Sequence, residues 1–394
     1  MKLAVVGFGN AGGKVTDRLL DYESSTDRAL CRFTTVINTA KVDLEKIERV
    51  PPEYRVLIGQ THAQSKGHGA GADPDIGAEI AREDELEIGR VLDQVPLHEV
   101  DAFLIVAGLG GGTGSGGGPV LASMLQERYA EPVYGLGVLP SEDEGGRASL
   151  NAARSVRSYA DATDALLLFD NNAWREGRDA VDAGYERTNL EIAKRVGTLL
   201  AAGATDGTTV AENAMDASDI NRTLAVGGVS TVAYAETELE QETSRRQGLL
   251  GRFRSPDPER EADGADAATK VHGLVRRAVR SRLTCPANVD STERALIVVS
   301  GPPAELSRKG LESARSWLEQ QTNSIEVLAG DNPLKSADKL SAVVVLSNVT
   351  DVPRVDNLQD QAVDAADNIE NQRETRDEEI EDLIRDDDGT LDPI

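Results

Sequence analysis

The sequence predicts an α/β fold in which helices cover a parallel sheet, followed by a long central helix and a second, smaller α/β domain. Three observations support this prediction. Apolar runs such as KLAVVGF, FTTVINT and DAFLIVAGL alternate with helical patterns over the first 170 residues, and strands that are apolar on both faces are typical of a covered parallel sheet. A long helical pattern follows, from about 183 to 202. A second alternation of apolar strands and helical patterns begins near residue 270.

The first strand, KLAVVGF, leads into the segment GFGNAG at 7–12, which has the spacing G-x-G-x-x-G. This segment after a strand and before a helix is the fingerprint of dinucleotide-binding proteins. An NAD-dependent oxidoreductase is therefore one alternative. Such enzymes present Asp or Glu to the ribose at the end of the second strand. Here the second strand, TTVINTAK, offers Asn38 and Thr39 instead, which disfavours NAD.

The second glycine segment is GLGGGTGSGGGP at 108–119, between the apolar run AFLIVA and the helical pattern VLASMLQERY. Eight of its twelve residues are glycine. Glycine allows several backbone N–H groups to converge, and the helix expected near Pro119 adds its own free N–H groups. The segment therefore predicts an anion site that suits a chain of phosphates. The lysine of a P-loop is absent from it.

The remaining elements continue the alternation. PVYGLGVLP, SLNAARSVRSYA and ALLLFDN complete the first unit, and ligands of such sheets bind at the carboxyl ends of the strands. In the long helix, Tyr185 and Asn189 are four residues apart and share one face. A strand VSTVAYAE follows, and residues 236–268 are charged and lack periodicity, which indicates an exposed loop. The second unit, from KVHGLVRRAVRSRL to LSAVVVLSNV, is expected to form its own sheet.

Composition excludes several classes of function. The net charge is −26, and the segment 356–394 holds 15 acidic residues against 3 arginines. Nucleic-acid binding is therefore not expected. The acidic excess with only ten lysines indicates a halophilic host. Two cysteines and four histidines form no disulfide framework or metal site. The sequence lacks a membrane-spanning run and a signal peptide, so we expect a cytoplasmic protein that does not insert into membranes.

Both glycine segments together resemble the tubulin/FtsZ superfamily. The second matches its signature G-G-G-T-G-[ST]-G at 110–116, and the first, GNAGGKV, is similar to the tubulin form G-Q-[CA]-G. GFGNAGGKV, GHGAGADP and VLPSEDEGG are similar to the archaeal CetZ branch, and ERALIVVSGPP resembles the first long strand of the family's second domain. The resemblance implies a GTPase that binds GTP or GDP, with Mg²⁺ held through the nucleotide, and that polymerises head to tail.

The resemblance also implies the residues that bind the nucleotide. The α- and β-phosphates would contact Gly9, Asn10, Ala11 and Gly12, and the phosphate chain would lie on Gly110, Gly111, Gly112, Thr113, Gly114, Ser115 and Gly116. The γ-phosphate would be sensed by Ala70, Gly71 and Ala72, with Asn38 near the phosphates and Mg²⁺. Pro140 and Glu144 would contact the sugar, with Arg147 in the approximate place of a family arginine. Asn171, Tyr185 and Asn189 would recognise the base.

The resemblance implies catalysis by MDASDINRT at 215–223. This segment matches the pattern D-x-[AS]-[DE] with Asp216 and Asp219, which in the family project into the nucleotide pocket of the next subunit. Two carboxylates can orient and polarise a water molecule opposite a γ-phosphate. Read locally, Asp216 is an ordinary helix N-cap. A nucleotide-binding scaffold without hydrolysis is thus an alternative, although it would not need both acids.

The predicted organisation is a GTP-binding domain at 1–182, the central helix and catalytic loop at 183–221, a C-terminal α/β domain at 222–355, and a partly disordered acidic tail at 356–394. The tail lacks the mixed basic and apolar peptide of division proteins. We therefore expect a homopolymer that controls cell shape or motility, with FtsZ-like cell division as the alternative. The sequence does not identify partners for the tail.

Overall fold

The structure is a computed structural model that describes residues 1–26, 29–174, 181–202, 215–239, 259–335 and 337–386. Several predicted segments fall partly outside these residues. In the central helix and catalytic loop at 183–221, residues 203–214 are not described. In the exposed loop at 236–268, residues 240–258 are not described, and in the acidic tail residues 387–394 are not described.

The described chain contains strands and helices in alternation. The strands are β1 (Leu3–Phe8), β2 (Cys31–Asn38), β3 (Arg55–Leu57), β4 (Ala102–Gly108), β5 (Val133–Leu139), β6 (Ala165–Asp170), β7 (Val229–Glu238), β8 (Thr292–Gly301), β9 (Glu326–Pro333) and β10 (Lys339–Val349). The helices are α1 (Gly9–Thr26), α2 (Lys41–Glu45), α3 (Pro74–Glu83), α4 (Glu85–Leu92), α5 (Thr113–Arg128), α6 (Gly146–Ala162), α7 (Asn171–Trp174), α8 (Val181–Ala202), α9 (Ala217–Leu224), α10 (Glu259–Arg280), α11 (Arg308–Gln321) and α12 (Pro353–Asp386).

The first unit is a parallel sheet with strand order β3-β2-β1-β4-β5-β6. Successive residues of β4 serve opposite faces, because side chains alternate along a strand. Phe103 and Ile105 pack in the cluster that includes α5 and α6, whereas Leu104 and Val106 pack with α1 and α8. The predicted α/β fold with a covered parallel sheet is confirmed. The first three strands are added to the sheet in one direction from β1 and the next three in the other, so the strand order reverses between β1 and β4. Sheets of this kind form a ligand crevice at that point.

The second unit adds four strands to the same sheet, which has ten strands in all among the described residues. Strand β10 is antiparallel to β7 and β8, and β9 is parallel to β8. The two units meet where Leu166 and Leu167 of β6 pair with the start of β7. The prediction of a separate second sheet is therefore wrong, because β7 pairs at its start with β6 and along most of its length with β10.

Helix α8 is the long central helix that the sequence predicts. Its residues Ile192, Val196 and Leu200 recur at intervals of four and are buried in a cluster that also holds residues of β1, β4, β8 and β10. Both units therefore pack on one helix. Tyr22 of α1 lies within hydrogen-bonding distance of Thr198, with 3.0 Å between the two hydroxyl oxygens, which fixes α1 beside it.

Helix α5 begins at Thr113 and not near Pro119, so much of the second glycine segment forms its first turns. Pro119 is tolerated inside the helix although it has no N–H for the carbonyl of Ser115. The hydroxyl of Ser155 donates to that carbonyl instead, at 3.1 Å. A Cβ at Gly116 or Gly118 would overlap the Pro74 carbonyl or the Tyr159 hydroxyl, respectively. These glycines thus allow helices to pack closely, a purpose that their sequence pattern did not reveal.

Helices occupy part of the predicted exposed loop and most of the tail that we expected to be partly disordered. Helix α10 begins at Glu259, inside the predicted loop, and α12 runs from Pro353 to Asp386 through most of the predicted tail. The first turns of α12 are docked, since Leu358 and Ala362 are buried. No described helix is both long enough and apolar enough to cross a bilayer.

The N-terminal amine provides a test of the fold. Met1 is buried and its amine donates a hydrogen bond to the carbonyl of Leu200 at 2.7 Å. Burial lowers the pKa of this amine from 8.0 to about 5. Between these values the unfolded chain binds the additional proton. The free energy of unfolding should therefore fall as the pH drops from 8 to 5, by up to about 1.4 kcal/mol per pH unit from this group.

NMR titration of protein labelled with ¹⁵N-methionine measures the amine directly. We expect a midpoint near 5 in the folded protein, and the chain unfolded in urea is the control, with a midpoint near 8. A midpoint near 8 in the folded protein would contradict the burial of Met1.

Candidate functional site

A cavity of about 420 Å³ opens at the carboxyl ends of β1, β4 and β5. Of the twenty residues predicted to bind nucleotide, all but Gly12, Ser115 and Gly116 line it. The lining residues from that prediction are Gly9, Asn10, Ala11, Asn38, Ala70, Gly71, Ala72, Gly110, Gly111, Gly112, Thr113, Gly114, Pro140, Glu144, Asn171, Tyr185 and Asn189. The fold thus brings seven separate segments of the sequence together around one space.

The two glycine segments touch each other at the base of the cavity. Gly9 has a φ of +77°, which favours glycine, and a Cβ on it would lie 2.9 Å from the backbone nitrogen of Gly114. Gly114 is equally confined, since its Cβ would lie 2.7 Å from the carbonyl of Phe8. The first turns of α1 and α5 therefore both begin at this cavity, with their unpaired N–H groups close together.

Three predicted residues serve packing. Gly12 lies against β4, where a Cβ would overlap the carbonyl of Val106. The N–H of Gly116 donates to the Gly112 carbonyl at 3.1 Å inside α5, so it is not free for a ligand. Ser115 donates its hydroxyl to the carbonyls of Gly111 and Gly112, the latter at 3.1 Å. These three residues lie outside the cavity lining and support the loop, and direct contact of any of them with a ligand stays a prediction.

The segment from Gly69 to Ala72 forms another wall of the cavity. Gly69, Gly71 and Ala72 all have positive φ, at 106°, 60° and 55°, a conformation that is uncommon for alanine. The carboxylate of Asp73 caps α3 by accepting from the N–H of Asp75 at 2.9 Å. The side-chain amide of Asn151 donates to the carbonyl of Ala72 at 2.9 Å. The strained turn is thus held from both sides.

The opposite half of the cavity carries polar side chains. The hydroxyl of Tyr185 donates to Glu144 at 2.8 Å, and burial together with this hydrogen bond raises the pKa of Tyr185 to about 12. Asn171 and Asn189 are buried, and neither side-chain amide has a hydrogen-bond partner in the part of the chain that the structure describes. Two amides that face a cavity without partners suit the edge of a heterocyclic base. Arg147 lies outside this cavity, in a neighbouring groove.

The two predicted catalytic acids lie far from this cavity. Asp216 is the N-cap of α9 and accepts from the N–H groups of Ser218 and Asp219, at 2.8 and 3.1 Å. The hydroxyl of Ser218 also donates to Asp216, which with the backbone bonds lowers the pKa of the carboxyl. The Asp216 carboxylate is close enough to the Met1 amine to oppose in part the lowering of its pKa by burial. Met1 precedes β1 and Gly9 follows it. Eight residues of extended chain, about 26 Å, therefore separate the end of the sheet that holds Met1 and Asp216 from the cavity.

Comparisons with known proteins identify the family. Residues 2–179 match the family model "Tubulin/FtsZ family, GTPase domain", and residues 178–364 match "Tubulin-like CetZ, C-terminal domain". Tubulin-like protein CetZ1 of Haloferax volcanii is 50% identical over 376 residues, which is 95% of each chain. The chain belongs to the tubulin-like CetZ family. The archaeal relatives from Haloferax and Pyrococcus bear out the archaeal and halophilic character that we predicted.

Solved CetZ structures have the same fold. The GDP-bound monomer of CetZ1 from Haloferax volcanii has a TM-score of 0.81 at 46% identity, covering 93% of this chain and 100% of that one. The GTPγS-bound protofilament of CetZ2 from the same organism has a TM-score of 0.80 at 37% identity, covering 94% and 100%. Membership of the CetZ family overturns the NAD-dependent oxidoreductase as an alternative, although strands β1 to β6 share the order of dinucleotide-binding sheets.

Sequence reasoning missed the residues that support the loops. Asn151, Ser155 and Tyr159 lie on one face of α6 and donate side-chain hydrogen bonds to backbone carbonyls, to Gly110 at 3.1 Å, Ser115 at 3.1 Å and Gly114 at 2.7 Å, respectively. Their spacing of four residues was a visible signal, because polar side chains at this interval share a helix face. The hydroxyl oxygens of Thr39 and Thr113 lie 2.6 Å apart, which links β2 to the start of α5.

Further residues of the cavity lining were also missed, and they bring charge to it. They include Lys14, Asp43 and His68. Lys14 is one helical turn after Asn10 on α1 and forms no ion pair with any described residue. An unpaired ammonium group in an otherwise acidic protein favours an anionic ligand. The sequence GNAGGKV contained this lysine, but its spacing differs from that of a P-loop.

Two glycine substitutions separate packing from ligand contact. Gly116→Ala should lower the free energy of unfolding by about 1–3 kcal/mol, because its Cβ would overlap the Pro74 carbonyl. Gly111→Ala should change it by less than about 0.5 kcal/mol, since no atom lies within 4 Å of the added Cβ. Urea unfolding followed by circular dichroism measures both. Equal stability of the two variants would contradict the packing described here.

Proposed function

We propose that the cavity binds GTP and GDP and that the protein is a GTPase active as a head-to-tail polymer. The observation that carries this proposal is the arrangement of the cavity. Backbone N–H groups from two helix starts lie at one end, and two unpaired amides and a tyrosine lie at the other. A volume of about 420 Å³ is within the usual range for sites of small ligands and cofactors.

The phosphate chain would occupy the glycine-rich end. The first turns of α1 and α5 present N–H groups of Asn10, Ala11 and Gly111 to Gly114 there, and helix N-termini favour anions. Gly110 and Gly111 would lie alongside the phosphates, and Ala70 to Ala72 would contact the γ-phosphate. Mg²⁺ bound through the phosphate oxygens near Asn38 would neutralise part of their charge. No direct protein ligand for the ion is proposed.

The base and ribose would occupy the other end. Tyr185 lies at the cavity wall, where its ring can stack on a purine, and its hydroxyl bond positions Glu144 beside the ribose. The amides of Asn189 and Asn171 can pair with both donors and acceptors of a guanine edge. Pro140 would close the sugar side. Each of these roles follows the resemblance to tubulin-type proteins, and the position of all these residues in the lining of one cavity supports the proposal.

Hydrolysis would be completed by the adjoining subunit. Asp216 and Asp219 lie at the end of the sheet opposite the cavity, so they do not reach a nucleotide bound by their own chain. If one subunit stacks on the next along the strand direction, α9 of the upper subunit faces the cavity of the lower one. The ionised acids would then orient water opposite the γ-phosphate. The mutual N-cap hydrogen bonds of the two acids hold them in place without a nucleotide.

The proposed setting is a cytoplasmic filament that controls cell shape or motility. The protofilament of CetZ2 supports polymerisation as the mode of action. The match of the C-terminal half to the CetZ family model favours this role over FtsZ-like division. A scaffold without hydrolysis is the second candidate, and the capping geometry of Asp216 favours it if the acids prove to have only that purpose.

Base recognition can be tested at Asn189. Asn189→Leu should lower the preference for GTP over ATP by at least tenfold, because a guanine edge would be left unpaired in a buried site. Fluorescence competition with both nucleotides measures the ratio of dissociation constants. Leu190→Asn, at the exposed neighbouring position, is the control and should leave the ratio unchanged. Equal affinity of the parent protein for GTP and ATP would exclude guanine recognition.

Catalysis between subunits can be tested at Asp219. Asp219→Ala should bind GTP and assemble, but its GTPase rate should fall by about 100-fold or more, and its polymers should last longer than those of the parent. Light scattering follows assembly, and phosphate release follows hydrolysis. Asp290, an exposed acid of the second unit, provides the control variant Asp290→Ala with parental activity. The parent should hydrolyse little GTP when diluted below its assembly concentration.

Mixing two inactive variants gives the decisive arm of this experiment. Gly111→Val should weaken GTP binding without disturbing the fold, since the position is open. A mixture with Asp219→Ala contains subunits with an intact cavity and subunits with intact acids, so mixed contacts should restore activity. Activity independent of protein concentration, together with no recovery in the mixture, would show that Asp216 and Asp219 only cap α9.

A further inference from the structure

The first turn of the C-terminal helix is anchored inside the nucleotide-binding unit by Arg354. Its side chain is only 5% exposed, and its guanidinium makes two hydrogen bonds to the edge of the cavity. Nε donates to Asp170 at 3.1 Å, and Nη2 donates to the carbonyl of Pro140 at 2.8 Å. These partners precede Arg354 by 184 and 214 residues, so the contact ties the end of the fold to its first half.

Both partners adjoin the base-and-ribose half of the cavity, which is the half formed by Pro140, Glu144, Asn171, Tyr185 and Asn189. Asp170 ends β6 and immediately precedes Asn171, and the same carboxylate oxygen accepts from the N–H of Asn172 at 3.1 Å. Pro140 itself lines the cavity. The turn that follows it is closed by Glu144, which accepts from the N–H of Ser141 at 2.8 Å. One guanidinium therefore holds both segments that bring Asn171, Pro140 and Glu144 into place.

The rest of α12 adds to this anchor along α6. The hydroxyl of Ser149 donates to Gln361 at 2.9 Å, and Ala365 lies against Gly146 at the start of α6. The phosphate half has a different support, since its carbonyls are held by Asn151, Ser155 and Tyr159 of α6. The described contacts of Arg354 thus belong to one half of the cavity alone.

We infer that Arg354 is a positioning residue for the base-and-ribose half of the site, so that docking of the C-terminal helix sets the affinity and selectivity for the nucleoside part of the ligand. This inference rests on the proposed binding of GTP. The buried guanidinium and Asp170 compensate each other's charge, so removal of the guanidinium leaves a buried carboxylate without its cation. Loss of the guanidinium also releases the Pro140 carbonyl. The segments at Pro140 and Asp170 would then move independently of each other. The glycine segments would keep their hydrogen bonds from the side chains of α6.

The test compares two ligands that share phosphates but differ in the nucleoside. GTP and inorganic tripolyphosphate each compete with a fluorescent GTP analogue for the full-length protein. Arg354→Met should raise the dissociation constant of GTP by about tenfold or more and reduce the preference for GTP over ATP, with that of tripolyphosphate changed less than twofold. Arg354→Lys keeps the charge beside Asp170 but lacks the planar fork, so it should recover part of the GTP affinity.

The control is Arg315→Met, which removes an exposed arginine of α11 that pairs with Glu319 on the same helix; it should bind both ligands as the parent does. Asp170→Asn is a second variant for the case that Arg354→Met does not fold. It removes the negative charge beside Arg354 but keeps a hydrogen-bond acceptor, and it should show the same selective loss of GTP affinity. Unchanged GTP affinity, or equal loss of both ligands in folded Arg354 variants, would overturn the inference. A parent protein that binds GTP no better than tripolyphosphate would instead refute the proposed function.

Discussion

The contact between the backbones of Gly9 and Gly114 is the constraint on which the rest of the site depends. Strands β1 and β4 are neighbours, and each continues directly into a helix or a short glycine turn before one. Two helices can begin side by side above two adjacent strands only if no side chain separates them, and a Cβ on Gly9 would lie 2.9 Å from the Gly114 nitrogen. The same absence of side chains exposes the N–H groups of both first turns. Close packing and anion binding therefore both require residues without a side chain at Gly9 and Gly114.

The two halves of the cavity are built in different ways. The half proposed for the phosphates is formed mainly by backbone, held by three side chains of α6 that bind its carbonyls. The base-and-ribose half consists of side chains, and its two segments are joined by Arg354 from the other end of the chain. Burial raises the pKa of Asp170, and the neighbouring guanidinium of Arg354 opposes this effect. The glycine segments are thus held by α6, whereas the opposite half of the cavity depends on the contact of Arg354 with distant parts of the chain.

This difference explains what could be predicted from the sequence. The glycine segments, the alternation of strands and helices, and the spacing of Tyr185 and Asn189 are local patterns, and the fold places most of the residues they predict around one cavity. The start of α5 at Thr113 was missed because glycine lowers helix propensity, whereas here close packing against Pro74 and Tyr159 stabilises the helix. Arg354 was missed because its partners are distant in sequence. The pairing of β6 with β7, which makes one sheet of two, likewise has no local signal.

The parallel sheet also gives the molecule a direction. Because β1, β4, β5 and β6 run the same way, every loop that follows a strand lies at the end with the cavity, and Met1 lies with Asp216 at the other end. Acids at one end can meet a ligand at the other only in a neighbouring molecule. A contact between two different surfaces of identical chains leaves a free surface at each end of the pair. Repetition of that contact along the strand direction does not close on itself. The site that we propose, divided between the two ends of the sheet, would therefore lead to a filament, whereas a symmetric dimer would leave both halves of that site apart.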